Sequence, residues 1–413
     1  MVIDFLKVKF KHNAKKNQHI NKSGSKRIIP HANISKNALK VVHKLNDSGF
    51  EAYFVGGCVR DLLLNLRPKD FDIATNALPE QVKKLFRNSR LVGRRFRLAH
   101  VYFGREIIEV ATFRGKVLGH HTGMIMHDNV YGTLEEDAWR RDFTINALYY
   151  DIKNQSFIDY VGGLKDLDEK IIRVIGDPEK RYHEDPVRML RALRLSAKLG
   201  FALDAEAIKP ISHLAGLLQN IPAARIFEET LKWFLGGNSF AAFKLLRQYG
   251  LFAVLFLQTE ATLSGGEEGI PFAFLSQGFI NSDKRLAEEK SLNPAFLFAV
   301  LLWWPLQKNM EQCQQKGYKL FPSVYLATKE VLSKQIKYMV IPRYLLHTIK
   351  EIWLLQFRFL YCVDQKKTKK LLEHPRFKIA YDFLLLRAQA KEDVQDLADR
   401  WTTLYEKHNA LIM

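Results

Sequence analysis

The chain is poor in cysteine, has no long apolar run and shows no excess of acid. Its 413 residues hold three cysteines, Cys58, Cys313 and Cys362. Their wide spacing fits neither a disulfide framework nor a zinc-ligand pattern, so a reducing compartment, the cytoplasm, is expected. The longest apolar run, residues 294–306, is too short to cross a bilayer and carries Pro305 near its end. A buried helix is therefore expected there, and no transmembrane segment. Residues 1–10 interleave Lys7 and Lys9 with apolar side chains instead of setting charge ahead of an apolar run, so no secretory leader is expected. Against 44 Asp and Glu stand 63 Lys and Arg, a formal net charge of +19 spread along the whole length. A polyanion such as RNA or DNA suits that balance better than a membrane.

What is present is concentrated in residues 51–74, EAYFVGGCVRDLLLNLRPKDFDIA. Tyr53, Phe54 and Val55 read as a buried strand, Gly56-Gly57 as a tight turn, and residues 58–66 as a helix. A second short strand then carries Asp70 and Asp72, which share a face while Phe71 points into the core. Two adjacent anions repel and raise each other's pKa unless a cation sits between them. The economical cation is Mg²⁺, a hard ion bound by one or two carboxylates and by substrate phosphates. Backbone N–H groups at the glycine turn suit those phosphates, which points to metal-dependent phosphoryl transfer.

Residues 1–30 are Lys-rich with a single acid, Asp4, and read as a mobile basic arm. Helices are expected over 35–47, with Ser35 as N-cap, and over 79–86, opened by Pro79. Residues 106–113 read as one arm of a hairpin turning at Gly104. There Glu109 shares a strand face with Ile107 and Ala111, and an acid amid apolar neighbours is costly unless satisfied. It is either a third metal carboxylate or the partner of an arginine such as Arg94 or Arg114. Residues 115–131 read as a loop able to close over substrate. Arg140, Arg141 and Asp142 gather two cations and an acid just ahead of a strand pair over 147–152 and 157–160. From Gly162 strand signals stop. In RYHEDPVRMLRALR (181–194), Asp185 suits an N-cap before Pro186, and Arg188, Arg191 and Arg194 share a helical face. Phe296, Phe298, Trp303 and Trp304 are expected in a core, and Lys366, Lys367, Lys369 and Lys370 form a basic patch able to touch RNA phosphates.

Gly-Gly-x-x-Arg-Asp, a helix and then Asp-x-Asp on the next strand resemble the nucleotidyltransferases of the polymerase-beta type, and the class II family of tRNA nucleotidyltransferases and poly(A) polymerases in particular. The likeness to the bacterial poly(A)-polymerase branch runs from about residue 34 to about 387. It is carried by LVGRRFRLAHV (91–101), with Arg94, Arg95 and Arg97, by RYHEDPVRMLRALR, by NPAFLFAVLLWWPL (293–306) and by LLEHPRFKIAYDFLLLRA (371–388). The loop after Gly115 is short, and the strongly basic C-terminal tail of some members is not seen, leaving the N-terminal arm to anchor RNA.

The resemblance implies an α+β fold: a basic arm (1–33), a small mixed-sheet palm (34–160), a helical neck (161–235) and an all-α, elongated body (236–413). It implies template-independent transfer of AMP from ATP to RNA 3′ ends, or as the alternative CCA or A addition to tRNA. Asp70 and Asp72, with Glu109 or Asp142 as third acid, would hold two Mg²⁺ ions, with Mn²⁺ as a substitute. Gly56, Gly57, Arg60, Arg140, Arg141, Arg191 and Arg194 would meet the nucleotide, and Asp185 with Arg188 would template the base edge by accepting from its amine and donating to its ring nitrogens. Arg94, Arg95 and the lysines of the basic patch would touch RNA, and proteins of RNA degradation are implied as partners.

Overall fold

A computed structural model describes residues 29–93, 97–115, 130–263, 266–362 and 364–410. Most of the basic arm, Arg94, Arg95, nearly all of the 115–131 loop and the final Ile412-Met413 lie outside the described residues. The chain forms two compact units, one up to Glu169 and one from Lys170.

The first unit is a seven-stranded mixed sheet with helices. In chain order it contains α1 (Lys36–Asp47), β1 (Ala52–Val55), α2 (Gly57–Leu63), β2 (Asp72–Thr75), α3 (Pro79–Leu85), β3 (Ser89–Val92), β4 (Leu98–Phe103), β5 (Glu106–Thr112), α4 (Leu134–Arg140), β6 (Leu148–Asp151), β7 (Ser156–Asp159) and α5 (Gly163–Asp168). The sheet order is β3-β4-β5-β2-β1-β6-β7. All neighbours are antiparallel except β2 and β5, whose parallel pairing sets Asp72 opposite Glu109. A parallel pair needs a crossover, which here contains α3 and the β3–β4 strands.

Period-two alternation decides which side of β5 is buried. Ile108, Val110 and Thr112 face the core, while Ile107 and Glu109 are exposed. Glu109 thus avoids the burial that its apolar neighbours suggested, and His100 on β4 lies across from it, Nε2 to Oε1 3.5 Å; Arg94, one of the arginines expected as its partner, lies outside the described residues. Helices α1 and α3 lie against the sheet, α1 burying Ala38, Val41, Val42 and Leu45. Each such aliphatic side chain larger than Ala contributes about 1.5–3 kcal/mol by leaving water. The Ser35 side chain caps α1, accepting from Asn37 N and Ala38 N at 3.2 and 3.3 Å, and it donates to Glu106 at the start of β5.

Two local expectations are corrected. Strand β2 begins at Asp72, so Asp70 precedes the strand, although Phe71 between them is buried as the alternation requires. The apolar run 294–306 is two helices, Pro294–Leu301 and Trp303–Gln315, broken at Leu302 with Pro305 in the first turn of the second. Proline fits there because first-turn N–H groups have no intrahelical acceptor.

Among the described residues the second unit's regular structure is helical apart from the two-residue parallel strands β8 (Ile171–Ile172) and β9 (Ala202–Leu203), which the sequence signals do not show. Between them lie α6 (Pro178–Glu184) and α7 (Val187–Leu199). Phe298 and Trp303 are fully buried, and Phe296 and Trp304 are partly so. Among the described residues no helix is long and apolar enough to cross a membrane.

In the first unit, α5 packs on the short 3₁₀ turn Thr144–Asn146, with Thr144 Oγ1 donating to Asp166 Oδ2 at 2.6 Å. A Cβ on Gly163 would lie 2.2 Å from the Thr144 carbonyl oxygen, a backbone atom that cannot step aside. Gly163→Ala is expected to lower stability by about 1–3 kcal/mol in urea unfolding; an unchanged midpoint would show that this contact is loose.

Candidate active site

The glycine turn leaves β1 with Gly56 at φ 75° and ψ −126°, backbone that L side chains rarely adopt. A Cβ there would also come within 3.3 Å of Arg141 Nη1 and 3.5 Å of the Asn146 carbonyl oxygen. Glycine is thus needed both for the bend and for the close approach of the Arg140-Arg141-Asp142 segment. Gly57 opens α2, one turn of which brings Arg60 underneath the bend, where it is 5% exposed. Burying a guanidinium requires partners. Arg60 Nε and Nη2 donate to Asp61 Oδ1 at 2.8 and 2.6 Å, and Nη1 donates to Asn146 Oδ1 at 2.5 Å. Asn146 Nδ2 in turn donates to Asp142 Oδ1 at 3.2 Å, which also accepts from Phe143 N at 2.9 Å. One hydrogen-bonded chain therefore links Asp61, Arg60, Asn146 and Asp142.

Arg141 is held by a second set. Its Nε and Nη2 donate to Asp137 Oδ2 at 3.2 and 3.0 Å, Nε also donates to the Tyr149 hydroxyl at 3.0 Å, and the guanidinium lies 5.2 Å from the Tyr149 ring centre. Burial alone would lower its pKa, but Tyr149 and Asp137 outweigh burial and keep the cation charged. Arg140 turns the other way, its Nη1 donating to the Gly115 carbonyl at 3.0 Å. Asp61, Asp137, Asn146 and Tyr149 were given no role in the sequence reading. Only Asp61, next to Arg60 in the motif, carried a signal.

The carboxylates sit on the adjoining part of the sheet. Asp72 is partly buried, and Asp70 and Glu109 are exposed. Burial raises the Asp72 pKa, Glu109 and Asp70 raise it further, Arg141 opposes them, and the balance is about 6 against an ordinary 3.8. Asp70 and Glu109 are each within electrostatic reach of Asp72, yet among the described residues no three His, Cys, Asp or Glu side chains are drawn into a metal cage. The donors are all carboxylate oxygens, a set for hard divalent cations such as Mg²⁺ or Mn²⁺ and not for soft metals. The buried Cys58 thiol beneath them is pushed up to about 12 by burial, so it is no thiolate ligand or nucleophile.

In the second unit, Asp185 Oδ1 accepts from Val187 N at 3.2 Å at the start of α7, while Oδ2 accepts from Arg225 at 2.7 Å. Arg188 Nη1 donates to the Arg181 carbonyl at 2.7 Å and to Glu184 Oε2 at 3.0 Å. Arg188, Arg191 and Arg194 are all half-buried along α7. Lys366, Lys367, Lys369 and Lys370 are exposed on the helix Gln365–Leu372, whose Thr368 and Leu371 face inward.

Comparison with known proteins places these features in a family. Residues 52–173 match the poly A polymerase head domain, residues 200–263 the probable RNA and SrmB-binding site of polymerase A, and residues 316–411 the polymerase A arginine-rich C-terminus. The chain is 48% identical over 386 residues to poly(A) polymerase I of Salmonella typhi, covering 90% of this chain and 83% of that one. It is 44% identical over 208 residues to the CCA-adding enzyme of Lactobacillus helveticus, about half of each chain (50% and 52%). A solved CCA-adding enzyme of Bacillus stearothermophilus in complex with CTP shares the fold at a TM-score of 0.60 and 27% identity, over 90% of this chain and 82% of that one. Nucleotidyltransferases of this family use divalent metals. The match in the head domain, in two further segments and along nine-tenths of the chain means that this protein belongs to the bacterial poly(A) polymerase I family of nucleotidyltransferases.

Proposed function

We propose that the chain transfers AMP from ATP to RNA 3′ ends without a template. The observation that carries this reading is the β2–β5 register, which sets Asp72 opposite Glu109 on the strand next to the Gly56 bend and its buried Arg60. Asp70, Asp72 and a third acid would hold two Mg²⁺ ions, with Mn²⁺ able to replace them. We assign the third position to Glu109. It pairs with Asp72 across the β2–β5 register and raises the Asp72 pKa. Divalent cations bound there would lower the pKa of the RNA 3′-hydroxyl and neutralise charge on the α-phosphate and the leaving pyrophosphate.

The protein's own groups do the positioning. The Gly56-Gly57 backbone admits a triphosphate close to the chain, and Arg60, Arg140 and Arg141 supply cations fixed in place by Asp61, Asn146, Asp137 and the Gly115 carbonyl. Asp185 and Arg188 would read the adenine edge, with Arg191 and Arg194 beside the nucleotide. Both readers are already hydrogen-bonded, which limits their rotamers and favours one base edge over another. Arg94, Arg95 and the lysines 366, 367, 369 and 370 would hold RNA. Cytoplasmic action alongside RNA-degradation proteins follows from the same reading.

CCA addition to tRNA is the second reading, favoured by the 44% identity to a CCA-adding enzyme over half of the chain. Incubation of the protein with a generic RNA and each nucleoside triphosphate in turn separates the two. Long extension with ATP alone supports AMP transfer, and CTP incorporation confined to tRNA would overturn it. Asp70→Ala or Asp72→Ala is expected to abolish incorporation with the fold intact by circular dichroism; near-normal turnover would refute the metal assignment.

A raised pKa also makes a stability statement. Asp72 in the folded chain binds its proton up to about pH 6, whereas the unfolded chain releases it near 4, so this group favours folding below pH 4 and loses that contribution as pH rises through 6. In metal-free protein, Asp72→Asn removes the charge and is expected to raise stability by about 1–3 kcal/mol at pH 7.5 and by nearly nothing at pH 4. Thermal unfolding at the two pH values checks this; equal shifts at both would contradict it.

A further inference from the structure

Within the segment matched to the polymerase A arginine-rich C-terminus, the second unit carries an aromatic surface to which the AMP-transfer reading gives no role. On the helix Leu320–Gln335, Phe321, Tyr325 and Lys329 fall at four-residue intervals on one side, with Tyr318 just ahead of the helix. Aromatic residues at that spacing ordinarily face a core, yet Tyr318 is 50%, Phe321 46% and Tyr325 72% exposed. The neighbouring helix Arg343–Tyr361 packs against this one, and its last residue, Tyr361, is 59% exposed with its ring centre 6.3 Å from that of Phe321. Rings from two helices thus form one outward-facing patch. Arg358, one turn before Tyr361, is exposed, and the exposed lysines 366 and 367 begin five residues beyond Tyr361. Of the acids nearby, Glu330 pairs with Lys334 at 2.9 Å and Glu373 with Lys369 at 3.9 Å, and exposed Asp364 caps the lysine helix by accepting from Lys366 N at 2.9 Å.

We propose that this patch is a stacking platform for single-stranded RNA, with the rings against bases and the surrounding cations along the phosphates. Charge complementarity decides the occupant. Lysine is depleted where proteins dock on proteins, whereas exposed rings interleaved with Lys and Arg are what sequence-tolerant binding of single strands needs. Every base offers a π-face, so contact does not depend on a base edge, and adenine, a purine with a large face, gains more than uracil. The site lies outside residues 200–263, the segment matched to a probable RNA-binding site. The proposal deepens the AMP-transfer reading by giving the growing product a resting surface, but it is tested without ATP or metal.

Fluorescence anisotropy with labelled oligo(A) and oligo(U) of about 16 nucleotides provides the test. Tyr325→Ala and Tyr361→Ala, both at exposed positions, are each expected to weaken oligo(A) binding about tenfold and oligo(U) binding less. Tyr325→Phe should retain wild-type affinity, because stacking needs the ring and not the hydroxyl. Lys366→Glu with Lys367→Glu should weaken both oligomers and reduce the salt dependence. With primer concentration varied at saturating ATP, the tyrosine variants are expected to keep kcat and raise the KM for primer. Unchanged affinity in the alanine variants would overturn the proposal and leave the patch to a protein partner. Equal loss on both oligomers without rescue by phenylalanine would overturn the stacking mechanism. If wild-type protein fails to transfer AMP but the oligo(A) results hold, only the catalytic reading falls.

Discussion

Like charges facing each other across paired strands are the constraint around which the first unit is arranged. Strand β2 runs parallel to β5, and that register alone brings Asp72 opposite Glu109, with Asp70 two residues earlier on the same chain. The field they create shows in the Asp72 pKa of about 6, which burial sets first and Glu109 and Asp70 extend. A sheet would ordinarily not retain such an arrangement for stability, since opposed like charges destabilise it. It suits a task that supplies the missing positive charge. Glu109 lies on the exposed side of its strand, open to solvent and to ligands, so its charge is retained without the full cost of burial.

Much of the surrounding structure holds cations beside those anions. Buried Arg60 is bonded to Asp61, and half-buried Arg141 is bonded to Asp137 while it also lowers the Asp72 pKa. Asn146 bridges the two halves, accepting from Arg60 and donating to Asp142. The 3₁₀ turn that carries Asn146 is clasped to α5 by Thr144 and Asp166 and by the close approach of Gly163. Cations fixed in this way need no reorganisation to meet an anion, which is how electrostatic preorganisation acts.

The parts of this arrangement legible in the sequence are those set by local rules. Gly56-Gly57 between an apolar strand and a helix, and alternation around Phe71, follow from glycine's freedom and the strand period, and both are found. The Ser35 cap and the Gly104 hairpin are legible for the same reason. What depends on register or tertiary contact was not. His100 as the partner of Glu109 follows from the β4–β5 pairing, and nothing near Glu109 in the chain announces it. Asn146 and Tyr149 look like ordinary residues of a turn and a strand until the fold brings them to Arg60 and Arg141. Phe321 and Tyr325 have no part in the sequence analysis, and their four-residue spacing by itself cannot tell a face turned inward from one turned outward.

The central claim is that the carboxylates on β2 and β5 form one cation site. Binding of Mn²⁺ to the wild-type protein and to Asp72→Asn and Glu109→Gln, followed by electron paramagnetic resonance at neutral pH, tests it most directly. Both variants should bind Mn²⁺ at least about tenfold more weakly, as loss of a ligand or of its close support does elsewhere. Wild-type affinity in either variant would separate that residue from the site and contradict the account.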